Sequence, residues 1–112
     1  MNIYDRAHEM ARELTRSQEY MNLVQAREEV RKDAAASRMM DDFHSKQQVI
    51  YQLYQRGEAP TAEQLAEART LMEILQQNSL LSSYLQADAR LGQLLTDIQK
   101  ILMSAISDSR WQ

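Results

Sequence analysis

Two Asp-x-x-His spacings raise the question of chemistry: Asp5-x-x-His8 and Asp41-x-x-His44, with Glu73 and Asp88 further along the chain. Helical di-iron proteins use Glu-x-x-His on two helices and a carboxylate from each of two more, all pointing into the bundle core. Direction tests the match. At about 100° per residue, Asp5 lies ~170° from the centre of the stripe formed by Ile3, Ala7, Met10 and Leu14, and His8 lies ~130° away. Asp41 lies ~140° from the stripe of Met40, Phe43, Ile50 and Tyr54, and His44 sits on its flank at ~80°. Side chains aimed away from a core cannot meet around an ion inside it. These four are read as solvated helix-face residues, and no metal or cofactor is expected.

Other catalytic arrangements fare no better. Paired carboxylates can serve as acid and base, but Glu28-Glu29 and Asp41-Asp42 are adjacent residues, which diverge on a helix. No serine has a Gly-x-Ser-x-Gly frame. Cysteine is absent, which removes a thiolate nucleophile, thiolate-bound zinc and a disulfide framework. No residue receives a catalytic role, and the chain is read as a non-enzyme. Basic residues offer a different chemistry. Arg12 and Arg16 share a face, as do Arg27 and Arg31, with Lys32 beside them, and Tyr51 and Tyr54 could stack on bases. Acids interrupt these faces at Glu13, Glu28, Glu29 and Asp33, and the net charge is −3. A dedicated nucleic-acid binder usually shows a basic balance. Direct RNA binding through Arg12, Arg16, Arg27, Arg31 and Lys32 is therefore the alternative reading.

The elements that carry these residues are helices. Asn2 can cap a first helix with Asp5 in its opening turn, and Ser17 can cap a second that ends near Lys32. Tyr20, Leu23, Val24 and Val30 form the second stripe. Asp33 is the next cap, a weak break across which helices two and three could fuse. Ala34 to Arg56 follows with Ala36, Met40, Phe43, Ile50 and Tyr54 as its stripe and Gln47 as an interruption. Gly57 stops this helix, and Pro60 follows where helices rarely continue. Thr61-Ala62-Glu63-Gln64 has the form of a capping box. Leu65, Ala68, Met72 and Leu75 form the fourth stripe, and Asn78 and Ser79 can close that helix and cap the next. A last helix from about Leu80 to Ser107 carries Tyr84, Leu91, Leu95, Ile98 and Leu102. No segment has the alternation of a strand. The expectation is an all-α antiparallel bundle of four to five helices with a long C-terminal helix, forming one domain over residues 1–107, with a flexible tail over 108–112.

Gly92 lies inside that last helix, where it costs about 1 kcal/mol relative to Ala. With Ala89 one turn before it, Gly92 makes a small-residue patch that lets another helix approach, from the same chain or from a second subunit. Ala89, Gly92, Leu95, Ile98 and Leu102 are the candidate interface, and a homodimer or higher homo-oligomer is expected. Among the seven methionines, Met39, Met40, Met72 and Met103 fall on or beside apolar stripes and read as core. The N-terminal segment lacks the apolar stretch of a secretory signal, and no apolar run is long enough for a membrane span. A cytoplasmic location is the resulting expectation.

Several motifs together resemble a known family. They are Ser17-x-Glu19-Tyr20-x-x-Leu23, Asp33-x-x-Ala36-x-x-Met39-Met40-x-x-Phe43, Gly57-x-x-Pro60-Thr61-x-Glu63, and Tyr84-x-x-Ala87-Asp88-x-x-Leu91 leading into Ile98-x-x-Ile101. In order and spacing they resemble the YlbF/YmcA family of small helical proteins of Gram-positive bacteria, most of all its YheA-like branch. The resemblance implies an all-α fold that self-associates and no enzyme activity. It also implies a regulatory cofactor acting through protein partners, in competence, sporulation or biofilm development and in mRNA processing. Some family members are linked to iron–sulfur clusters through cysteines. This chain has none and cannot hold such a cluster in that way.

Overall fold

Helix boundaries follow side chains that satisfy the free backbone groups at helix ends. In the computed structural model, which describes residues 2–107, there are five helices: α1 (Ile3–Thr15), α2 (Gln18–Lys32), α3 (Ala34–Gln55), α4 (Ala62–Gln77) and α5 (Ser79–Ile106). No strand occurs among the described residues. The expected tail over 108–112 lies outside them.

Asn2 accepts from the Asp5 backbone N–H at 2.9 Å, and the Asp5 carboxylate accepts in return from the Asn2 N–H. The Ser17 hydroxyl accepts from the Tyr20 N–H at 3.2 Å, and the Asp33 carboxylate accepts from the Ala36 N–H at 2.9 Å. Asp33 is thus a full break, and α2 and α3 remain separate. Thr61 and Gln64 form the reciprocal capping box, at 3.1 and 2.9 Å. At the Asn78–Ser79 junction the cap is Asn78, whose side chain accepts from the N–H groups of Leu80 and Leu81, and Ser79 is already helical.

The turn after α3 depends on a left-handed residue. Gly57 has φ +76°. Its N–H donates to the Tyr54 carbonyl at 3.0 Å, and the Glu58 N–H donates to the Leu53 carbonyl at 2.9 Å. These two bonds make a Schellman closure, which glycine reaches without a Cβ penalty.

Two compact units emerge, one drawn from Met1–Gln25 and Gln86–Gln112, the other formed by Ala26–Leu85. In Ala26–Leu85 the core is Val30, Ala36, Met40, Phe43, Leu75 and Leu81, with Leu71, Met72 and Tyr84 packed against it. Helices α3 and α4 run antiparallel. Arg38, Met39, Asp41, Asp42 and Ser45 share a surface depression with Leu71 and Ile74, while Lys46, Val49 and Ile50 share one with Gln64 and Glu67. In the other unit Leu23 and Ala87 are buried, and α1 buries no residue. Of the four methionines read as core, Met40 is buried and Met39 and Met72 are half-buried, but Met103 is exposed, because its turn of α5 carries no buried side chain.

Candidate functional site

Two apolar faces lack cover. The first continues the core of the Ala26–Leu85 unit toward the Gly57 turn. Ala36, Met40 and Phe43 are buried there, and the same stripe of α3 then runs on through a half-buried Ile50 to Tyr54, which is 61% exposed. On α4 the gradient runs the other way along the chain, from an exposed Leu65 through half-buried Ala68 and Met72 to a fully buried Leu75. The result is an open groove of about 860 Å³ between α3 and α4. Phe43, Ile50, Tyr51, Tyr54, Ala68 and Met72 form its apolar wall, and Gln47, Gln48, His44 and Arg69 supply its polar groups. No carboxylate lines it. The opposite side of the α3–α4 pair presents Asp41, Asp42, Glu63 and Glu67 around its depressions, interleaved with Arg38 and Lys46.

The second face belongs to the other unit. On α5 Ile98 is half-buried, Leu95 and Leu102 are 42% and 51% exposed, and Ile101 and Ile106 are 69% and 71% exposed. On α1 Ile3 is 77% exposed, Ala7 and Met10 are exposed, and Leu14 is half-buried. Large exposed apolar patches commonly mark interaction sites.

The small-residue patch is open rather than filled. Ala89 and Gly92 are exposed, and a Cβ built on Gly92 would meet nothing within 4 Å. The small residue of α5 that is buried is Ala87, which the spacing argument passed over. Its signal was present: Ala87 lies ~50° from the centre of the α5 stripe, and Ala89 lies ~150° away.

The basic residues divide between the two units, Arg12 and Arg16 on α1 or its end, Arg27, Arg31 and Lys32 on α2. Arg31 pairs with Glu28 at 3.3 Å and Lys32 with Glu29 at 3.7 Å, both one turn back on α2. These exposed pairs lower the local positive charge. Arg27 and Arg31 line a small depression with Asp41, His44 and Tyr84. There the structure brings together one carboxylate and one imidazole of the metal candidates. Asp5 and His8 are exposed on α1. Among the described residues no three His, Asp or Glu side chains gather as ligands would. With no cysteine in the chain, the residues present do not fit a thiolate-ligated cluster.

No described helix is long and apolar enough to cross a membrane. Among the described residues the arrangement offers exposed apolar side chains for other helices. Comparison with known proteins agrees with the helical reading. A UPF0342 protein of Symbiobacterium thermophilum is 38% identical over 104 residues, covering 93% of each chain. The structure of a protein of unknown function from Bacillus stearothermophilus superposes with a TM-score of 0.86 at 23% identity, over 93% of this chain and 91% of that one. The yheA protein of Bacillus subtilis superposes with a TM-score of 0.73 at 25% identity, over 95% and 96%. Bacillus subtilis RicA, solved in complex with RicF, gives 0.65 at 18% identity, over 94% and 93%. Residues 3–107 match the family described as control of competence regulator ComK, YlbF/YmcA, and the chain belongs to that family.

Proposed function

We propose that this protein is a non-enzymatic protein–protein interaction module of the cytoplasm, a regulatory cofactor that self-associates. In this reading it bears on RNA processing or developmental regulation in a Gram-positive bacterium. The observation that carries the reading is the uncovered apolar stripe of α5, where Leu95, Leu102 and Ile106 share one face and are all exposed. Burying such side chains is favourable by about 25 cal/mol per Å2 of apolar surface. Gly92, on the flank of this stripe, leaves room for a second helix to approach. RicA, a protein of the same fold, is solved with a protein partner, which supports the interaction part of the reading.

The test is solution mass by light scattering across a concentration series, for the unmodified chain, Leu102→Glu and Gly92→Leu. The expected result is a dimer that dissociates on either substitution with helicity unchanged. A monomer at every concentration removes self-association. Direct RNA binding through Arg12, Arg16, Arg27, Arg31 and Lys32 is the competing outcome. It would appear as affinity that falls steeply with salt, because phosphate contacts release counterions.

A further inference from the structure

We propose that α1 is an exchanged arm: the α1 helix of a second copy lies in the groove between α3 and α4. This rests on the self-association reading and assigns it a second contact. Four features of the chain point to this occupant. The groove is the outward continuation of a core whose inner end is already covered by helices, since Val30 of α2 and Leu81 of α5 seal Ala36, Met40 and Phe43. One more helix would cover Ile50, Tyr54, Ala68 and Met72 in the same manner. The chain also contains a helix in need of cover: α1 buries no residue, although Ile3, Ala7, Met10 and Leu14 make one stripe along it.

The lengths agree. Ile3 to Leu14 spans about 17 Å at 1.5 Å per residue, and so does Phe43 to Tyr54 along the groove. The charges agree as well. The groove has no carboxylate in its wall, and its rim carries Arg69, which has no ion pair among the described residues. Glu13 flanks the α1 stripe at ~90° and is likewise without an ion pair there. Reciprocal exchange uses the same two surfaces on both copies, so the assembly closes at two rather than growing into a filament.

The absence of cysteine makes a direct test possible. Met10→Cys and Ala68→Cys are made as separate single-cysteine chains, mixed and oxidised mildly, so any disulfide between them joins two copies. The expected result is a crossed Met10→Cys/Ala68→Cys product and none between Met10→Cys and Ser45→Cys, whose cysteine lies on the opposite side. Met10→Asp is expected to raise the dimer dissociation constant about tenfold while the chain stays helical. A dimer that gives no crossed product overturns the arm exchange and leaves self-association through α5 standing. A chain that is monomeric at every concentration overturns both. Closure of a disulfide within a monomeric Met10→Cys/Ala68→Cys double variant overturns the exchange, because the arm would then serve its own groove.

Discussion

The inner and outer ends of the α3–α4 pair are built to one pattern and end in different states. At the inner end Ala36, Met40, Phe43 and Leu75 are buried, with Val30 and Leu81 over them. At the outer end Ile50, Tyr54, Leu65 and Ala68 continue the same stripes and stay half-buried or exposed. The side chains at the outer end are no less apolar. What differs is a third layer, present over the inner end and missing over the outer one. A helical stripe therefore marks a surface that gains by being covered, and the connectivity decides whether the chain covers it itself.

The comparison can be broken first at its sealed end. Leu75→Ala or Phe43→Ala is expected to destabilise the fold by about 2–5 kcal/mol, since each leaves a cavity where the surroundings relax only partly. Urea unfolding followed by circular dichroism measures this. A loss as small as that at an exposed site would show that the inner end is not a packed core. The turn that joins the two helices comes next. Gly57→Ala places a Cβ at φ +76° and is expected to cost about 1–2 kcal/mol in the same assay. Thr61→Ala removes the acceptor for the Gln64 N–H and is expected to cost about 1 kcal/mol.

The open end should respond weakly. Tyr54→Ser is expected to change the stability of the monomer by no more than about 0.5 kcal/mol, as for surface positions generally. If it costs as much as Phe43→Ala at a dilution where the chain is monomeric, the groove is filled from within the chain. A related contrast concerns α5. Gly92→Ala is expected to stabilise the dilute monomer by about 0.4–1 kcal/mol, because open space surrounds the position and the unfolded chain loses freedom. If the same substitution weakens the dimer, a neighbouring copy occupies that space.

Much of the secondary structure was legible from individual residues. Asn2, Ser17, Asp33 and Thr61 cap the helices at which they were placed, and Gly57 stops α3 as expected. These signals are local: a short polar side chain meets a backbone N–H two or three residues away, and no other part of the chain is needed. The sharing of roles between Asn78 and Ser79 was less legible, since both residue types suit a cap and the backbone geometry selects Asn78.

The candidate site was legible only in part. Exposed Asp5 and His8 agree with the angular argument. The stripe of α1 and the outer half of the α3 stripe read as core-facing by the same argument, and neither is covered. Ala87, not Ala89, is the buried small residue of α5. The groove between α3 and α4 could not be read at all, because it requires knowing that Tyr54 and Ala68 share a depression.

Local chemistry in the chain thus set where helices begin and end, which face of each is apolar, and that no cysteine chemistry is available. These depend on contacts across a few residues, where spacing and geometry are nearly the same thing. The tertiary arrangement alone decided which part of each stripe is sealed and where a groove remains open. Burial depends on which distant segment lies over a face, and the periodicity of one helix carries no information about its neighbour.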